Sequence, residues 1–436
     1  MSTNPTRFSI DPKICSEIFG ESNFLGNFIW QSRSSISNDR EISWNHNHTL
    51  VYAKNEDQLS FEGDDIDVHE YSNPDNDVRG PWKLVPLDAN HLGGATIYAI
   101  KNPLTGVEYF PPKGRCWCYN ETTMTSLMND GRIKFGMNDK SSPKRKLFLN
   151  ERLTKGDTKT PSSILLNVGT TKDGTNELSA LFDNIKVFDY PKPTSLIEKF
   201  IKYAAVGDND IVLDFFSGSA STAHGLMLFN YKYHKSAKFI LVQIQEELVT
   251  EHSLTVRTSK RNSGAKFLSD LEKPALITEI GKERIRRAGA AIKEEFGEKA
   301  ADLDIGFRVL KLDSSNMKDT YYVPAKLTMA SLIADNLKED RTAEDLLFQA
   351  MLETDVLLSE QIERLNIGGK EVFSVSDGFV MACFDNELDM ETIKEIATQQ
   401  PSYFITRYES FNGDALVDNL DQIFAAYSSH TIIKII

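Results

Sequence analysis

The stretch Asp210-Ile-Val-Leu-Asp-Phe-Phe-Ser-Gly-Ser-Ala-Ser-Thr-Ala-His-Gly225 decides the fold. An apolar strand, Ile211 to Phe216, runs into a turn of small residues, Ser217 to Ser221, and then into a helix, Thr222 to Asn230. A second apolar strand, Phe239-Ile-Leu-Val-Gln243, follows. Strand, tight turn, helix and strand in this order predict a parallel α/β unit, which takes a nucleotide-like ligand at the carboxyl ends of its strands. Small residues in the turn let the backbone approach that ligand closely. Asp214 falls beside the turn, where its carboxylate can hold the amino group of an amino-acid moiety. Gln243, at the tip of the next strand, is placed for a ribose hydroxyl. A phosphate loop is disfavoured, because neither G-x-G-x-x-G nor G-x-x-x-x-G-K-[ST] is present and Asp214 would repel a pyrophosphate. Taken alone, the segment also admits a plain structural strand, turn and helix.

Immediately upstream, Phe188-Asp-Tyr-Pro-Lys-Pro193 leads into a second helix. Leu196, Ile197, Phe200, Ile201 and Ala204 give it one apolar face, and Ser195 with Glu198 reads as a capping box at its start. The spacing therefore starts the helix right after Lys192-Pro193 and packs it beside the turn.

Working outward, 436 residues suffice for two or three domains of ordinary size. Residues 1–55 read as a helix (Lys13 to Phe19), a loop and a strand at Thr49–Ala53. Residues 56–185 are rich in Gly, Pro, Asn and Asp, with short strand-like runs at Ala95–Ile100 and Ile133–Phe135, a loop-heavy pattern in which recognition surfaces often lie. Residues 186–250 hold the α/β unit. Residues 251–335 form a basic linker region with a long helix, Leu276 to Phe296. Residues 336–436 mix helices (Ala343–Leu352, Met390–Thr398, Leu416–Tyr427) with strands (Glu371–Val375, Gly378–Phe384, Tyr403–Arg407), as a small separate α/β domain would.

The net charge of −14 is concentrated in that last region, where 20 acidic residues face 7 basic ones from Asp335 onward. The rest of the chain is near neutral and carries two basic stretches. One is Arg132, Lys134, Lys140, Lys144, Arg145 and Lys146; the other runs from Arg257, Lys260, Arg261 and Lys266 to Lys282, Arg284, Arg286 and Arg287. Such clusters neutralise backbone phosphates, although solvated loops and helix faces carry them too. No apolar run approaches the roughly 20 residues of a membrane span. The polar N-terminus and four scattered cysteines lead us to expect a cytoplasmic chain with reduced thiols. Cys116 and Cys118 lack a second ligand pair, and His46 and His48 lack a third ligand, so we expect no metal site. His224 suits packing better than catalysis.

At these residues the chain resembles a known family. Asp214-Phe-Phe-Ser-Gly-Ser-Ala220 resembles the D-F-F-A-G-S-G cofactor motif of amino-DNA methyltransferases, and Lys192-Pro193 with its helix resembles the K-P motif that precedes it in the β class. More closely, the chain from about Cys15 onward is similar to the modification (Mod) subunit of type III restriction–modification systems. Trp44-Asn-His-Asn-His-Thr-Leu-Val-Tyr-Ala-Lys54, Arg79-Gly-Pro-Trp82, Ile100-Lys-Asn-Pro-Leu-Thr-Gly106, Tyr109-Phe-Pro-Pro-Lys-Gly-Arg-Cys-Trp117 and Phe239 to Gln243 carry that likeness, with Gln399-Gln-Pro-Ser-Tyr403 and Gln422-Ile-Phe-Ala-Ala-Tyr427 near the C-terminus. The resemblance implies transfer of a methyl group from S-adenosyl-L-methionine to adenine N6 of double-stranded DNA, with the target base flipped out of the helix. It implies an α/β fold: an incomplete Rossmann-like methyltransferase domain with an inserted irregular target-recognition region and a small C-terminal α/β domain. It assigns Lys192, Pro193, Asp214, Phe215, Phe216, Gly218, Ser219 and Gln243 to the cofactor; Arg132, Lys134, Lys144 and Arg145 are candidates for DNA on their clustered charge. It also implies partners, a second copy or a helicase–nuclease restriction subunit.

The chain departs from the family at two points. No [DNS]-P-P-[FYW] tetrapeptide, the family's catalytic D-P-P-Y, occurs in it: Asp11-Pro12-Lys13-Ile14 and Phe110-Pro111-Pro112-Lys113 both fail the pattern. The chain is therefore expected to begin inside the methyltransferase domain, to hold no catalytic residue of its own and to be inactive unless a separate polypeptide supplies the motif. The alternatives are a non-catalytic DNA-binding or specificity module that partners a restriction subunit, or a decaying product that folds poorly. Ala220 stands where the family has a second glycine, which costs little at negative φ and obstructs the cofactor at positive φ.

Overall fold

Residues 24–31, read above as part of a loop, form the first strand of the structure. The computed structural model describes residues 12–36, 41–90, 96–136, 140–248, 259–318, 337–411 and 414–436. The chain is α/β and divides into two units, 1–305 and 306–436.

In the first unit, α1 (Pro12–Phe19) precedes β1 (Phe24–Gln31) and β2 (His46–Tyr52), which pair antiparallel. Ten short elements follow: β3 (Trp82–Pro86), β4 (Asp88–Ala89), β5 (Ile100–Lys101), β6 (Glu108–Tyr109), β7 (Cys116–Trp117), α2 (Glu121–Asn129), β8 (Ile133–Lys134), β9 (Lys144–Phe148), α3 (Leu149–Thr154) and β10 (Ile164–Leu165). They make small sheets β3-β9-β8, β4-β7 and β5-β6 around Leu87, Ile100, Trp117, Met124 and Ile133. β10 returns to lie parallel to β1. The Ala95–Ile100 strand expected from sequence starts on a residue outside those described, and β5 begins only at Ile100.

Next come α4 (Thr171–Leu181), α5 (Thr194–Tyr203), β11 (Ile211–Asp214), α6 (Ser221–Tyr233) and β12 (Lys238–Leu241), with β11 and β12 parallel. The apolar stripe of α5 serves two partners. Leu196, Phe200 and Tyr203 pack on Trp30 and Leu165 of the β10-β1-β2 sheet, whereas Ile197 and Ile201 pack on Leu226 and Phe229 of α6 and on Val212 and Phe239 of the strand pair. Ala204 does not join the stripe; it is exposed at the helix end. The expected Ser195/Glu198 capping box does not form. Pro193 is the N-cap, the Thr194 N–H donates to the Glu177 carboxylate at 2.9 Å, and the Ser195 hydroxyl donates to the Val168 carbonyl at 2.7 Å. The helix start finds its acceptors on α4, at Glu177, and on the segment before it, at Val168, instead of in its own first turn.

The basic segment 259–296 is not a linker but part of this unit. α7 (Ser259–Asp270) and α8 (Ile277–Phe296) bury Ala265, Phe267, Leu268 and Ile280 against Leu178, Phe182 and Val187. Most charges of α8 are spent internally, Lys282 on Glu279 and Arg287 on Glu283 and Asp183. Arg257 lies outside the described residues, and only the helical backbone of Lys260 and Arg261 is described.

The second unit contains α9 (Ala343–Glu353), β13 (Ile362–Ile367), β14 (Lys370–Val375), β15 (Val380–Cys383), α10 (Met390–Thr398), β16 (Tyr403–Thr406), α11 (Asp414–Tyr427) and β17 (Ile432–Ile435). The five strands lie in chain order in one sheet, antiparallel from β13 to β15 and parallel from β15 to β17. α9 covers one face through Leu346, Leu347, Ala350 and Met351, and α10 with α11 covers the other through Ile393, Ile396, Leu420 and Phe424. Both parallel crossovers thus run over one face, as crossovers of a single hand require.

Candidate functional site

The turn after β11 is held open by its own polar groups. Asp214 Oδ1 accepts from the Phe216 N–H at 3.1 Å and Oδ2 accepts from the Thr222 hydroxyl at 2.6 Å, so the carboxylate is fixed between strand end and helix start. Gln243 reaches back from the neighbouring chain segment: its Oε1 accepts from the Gly218 N–H at 2.8 Å, and its amide donates to the Ile244 carbonyl. Gly218 adopts φ +51, and a Cβ there would meet the Phe188 ring at 3.2 Å, so the position needs glycine on both counts. Ser219 is buried under the turn, and Phe215 and Phe216 stand exposed at its mouth with ring centroids 5.1 Å apart.

Ala220 has φ +58 and ψ +38, the left-handed conformation, and is the N-cap of α6. Its methyl is buried, and a Cβ built on Gly281 of α8 would lie 3.6 Å from it. The extra carbon therefore points back into the α6–α8 packing, not out over the turn.

Lys192 and Pro193 reach the site through α5. Pro191 to Pro193 lie against Gly174 and Gly169, where a Cβ would approach backbone or ring atoms to 2.5 and 3.1 Å. Lys192 Nζ sits over the Trp30 ring, 5.1 Å from its centroid, and burial pulls its pKa down. α5 and α6 touch at Gly225, where an added Cβ would come within 2.9 Å of Ile197. The structure thus gathers Asp214, Phe215, Phe216, Gly218 and Ser219 at one turn with Gln243 bonded to it from the segment after β12, and joins the Lys192-Pro193 segment to it by one helix pair.

Behind the turn lies a group that the motif search passed over, Arg284 of α8. It donates to Ser221 Oγ at 2.7 Å and to Ser219 Oγ at 3.0 Å. A periodicity signal was available, since Ile277, Ile280, Gly281, Arg284, Ala288 and Ile292 share the apolar stripe of α8. Thr222 and Phe188, both in contact with the turn, carry no such signal.

The DNA candidates lie in the β3-β9-β8 sheet. Arg132 pairs with Asp130 and with Glu151, and Lys134 pairs with Asp75 at 3.2 Å. Lys146, only 5% exposed, is clasped by Asp75 at 2.7 Å and Asp77 at 2.8 Å. Lys144 is exposed and Arg145 lies over Tyr119; neither forms an ion pair among the described residues. His46 and His48 meet edge to face, and no metal-holding group of three His, Cys, Asp or Glu occurs among the described residues.

An acidic strand end beside a glycine turn, opening onto a helix N-terminus in a parallel α/β unit, is the arrangement in which such folds take ligands. The chain belongs to the N6/N4 DNA methylase family, whose model matches residues 9–254. It is 32% identical over 299 residues to the StyLTI Mod subunit of a type III restriction-modification enzyme from Salmonella typhimurium, covering 67% of this chain and 42% of that protein. It is 28% identical to the EcoP15I Mod subunit of Escherichia coli (65% of this chain, 48% of that protein) and 28% identical to the type II methyltransferase M.KpnI of Klebsiella pneumoniae (59% and 63%). The chain thus spans from 42% to 63% of the length of these relatives.

Proposed function

We propose that the chain is the cofactor and target-recognition portion of an S-adenosyl-L-methionine-dependent DNA adenine-N6 methyltransferase, a type III modification subunit acting on double-stranded DNA in the cytoplasm. The residues fit that donor. Asp214, held by Thr222 and the Phe216 N–H, offers a fixed anion to the donor's ammonium group. Gly218 lets the backbone approach, and the exposed Phe215 and Phe216 rings offer apolar faces to its adenine. Gln243 releases its contact with Gly218 to meet the ribose. Lys192 and Pro193 border the pocket. When bound, S-adenosyl-L-methionine supplies an electrophilic methyl group. Lys144 and Arg145 contact backbone phosphate, with Arg132 and Lys134 contributing once their carboxylate partners are displaced.

One observation carries the reading of an incomplete Rossmann-like sheet. Ile211 and Leu213 of β11 with Phe215 just past its end, and Ile240 of β12 with Val242 and Ile244 past its end, are all between 48 and 73% exposed. Parallel sheets are covered on both faces in folded proteins. The face bordering Asp214 is therefore the docking surface of a polypeptide carrying D-P-P-Y, whose polar side chain and carbonyl accept the hydrogens of the flipped adenine amine. Without it the chain neither positions nor deprotonates that amine and transfers no methyl group. A second copy or a restriction subunit is a further partner.

The test is calorimetric titration with S-adenosyl-L-methionine, followed by methyl transfer to duplex DNA with and without a polypeptide bearing D-P-P-Y. We expect binding that Asp214→Ala weakens at least about tenfold, the scale of a charge-assisted contact, and transfer only when the second polypeptide is present. A folded chain that ignores the donor yet binds DNA with strong salt dependence would favour the second reading, a specificity module without chemistry.

A further inference from the structure

α8 lies outside residues 9–254, the part that matches the family, yet it delivers a charge to the back of the turn. The Arg284 side chain is 0% exposed. One terminal nitrogen donates to Ser221 Oγ (2.7 Å), Ser219 Oγ (3.0 Å) and the Ser219 carbonyl (3.4 Å), the other lies 3.5 Å from His224 Nδ1, and Nε is buried with no partner. Among the described residues no carboxylate forms an ion pair with it. Glu177 acts on it only from a distance, its carboxylate already accepting the Thr194 N–H. Burial pulls the pKa of Arg284 down to about 10, which leaves it cationic at neutral pH. Burial and the Arg284 charge pull His224 down to about 3, so the imidazole is neutral and offers a lone pair to the guanidinium, not a second charge.

A lone buried cation is costly, and this one stands at the N-terminus of α6, where the helix dipole is positive as well. A neutral amide could satisfy the two serines without that cost, so hydrogen bonding alone does not account for an arginine. The turn has two poles instead: the Asp214 carboxylate on the strand side and Arg284 with the α6 N-terminus on the helix side. Those poles match a zwitterion, ammonium toward Asp214 and carboxylate toward the helix.

We infer that Arg284 is a positioning residue for the carboxylate of the methyl donor, acting through Ser219 and Ser221 without touching it. The inference rests on the function proposed above and extends the donor site to a helix beyond the matched family segment. The test compares the affinity of the full chain for S-adenosyl-L-methionine and for its decarboxylated analogue, which lacks only that carboxylate. The wild type is expected to prefer the complete donor by about tenfold or more. Arg284→Gln is expected to bring the preference to within about threefold of unity, and Arg284→Lys to keep it within about threefold of wild type. Equal weakening of both ligands by Arg284→Gln, or an unchanged preference, would overturn the inference and leave a turn clamp only. Should Arg284→Gln lack a cooperative unfolding transition, Arg284→Lys decides: a preference retained supports the charge, a preference lost overturns it. A wild type that binds both ligands equally refutes the role of Arg284 alone, whereas one that binds neither refutes the donor site and this inference with it.

Discussion

At the scale of single residues, Ala220 shows how a sequence departure is absorbed. A left-handed alanine costs roughly 1–2 kcal/mol, and burying its methyl returns roughly 0.8 kcal/mol, so the two nearly offset. The methyl packs toward α8, where a Cβ built on Gly281 would lie 3.6 Å from it. A β-branched side chain has neither the conformation nor the room. Ala220→Val is expected to lower stability by at least about 2 kcal/mol, read as a fall in the urea midpoint at constant slope; an unchanged midpoint would show that φ at this position is not held positive.

At the scale of elements, two helix glycines make opposite predictions from the same chemistry. Alanine in a helix interior gains about 0.5–1 kcal/mol over glycine. At Gly281 the added carbon meets only ordinary contacts, 3.5 Å from the Gly218 carbonyl and 3.6 Å from Ala220, so Gly281→Ala is expected to raise the melting temperature. At Gly225 the same carbon falls 2.9 Å from two Ile197 atoms, and overpacking of about 1–3 kcal/mol outweighs the propensity gain. Gly225→Ala is therefore expected to lower the melting temperature by prising α5 from α6; the reverse order of the two variants in differential scanning calorimetry would refute the packing argument.

The Lys146 network gives the small sheets of the first unit a pH dependence. Hydrogen bonds from Lys146 first of all hold Asp75 down at about 2, and those from Arg79 and Lys146 hold Asp77 lower still. Groups depressed in the folded state release protons on folding, so their contribution is complete above the ordinary carboxylate value of 3.8 and is lost as pH falls toward 2. Lys146→Met should be less stable than wild type at pH 6, with the gap between the two proteins closing as pH falls through that window. A gap independent of pH would place the role of Lys146 in packing on Trp82 and Phe148 instead.

At the scale of the whole molecule, the exposed ladder beside the turn is the feature with the widest consequence. Solvent-exposed substitutions change stability by less than about 0.5 kcal/mol, so Leu213→Thr with Val242→Thr should leave the melting temperature almost unchanged. The same pair should reduce self-association of the isolated chain in sedimentation velocity, because contiguous exposed apolar surface drives association. Equal self-association in both proteins would mean that this face is not the adhesive one.

Several features follow from sequence alone. Sequence patterning placed β11, α6, β12, α5, α8 and the helices of the second unit within a few residues of their observed bounds, because runs of apolar residues at strand or helix spacing are local signals. The family was legible because Asp214 to Ala220 and Lys192-Pro193 are short contiguous segments whose chemistry is local. Other features needed the tertiary structure. Strands as short as Cys116–Trp117 are stabilised by partners distant in the chain, as Asp88 and Ala89 are for that pair, and leave no period to read. The basic stretch around Lys146 read as a phosphate surface until Asp75 and Asp77, far from it in sequence, claimed its central charge. Arg284 lay in plain view within the apolar stripe of α8, yet only packing against α6 brought it to Ser219 and Ser221. Local propensity acts over a few residues, and the arginine that braces the turn after β11 comes from more than sixty residues away along the chain.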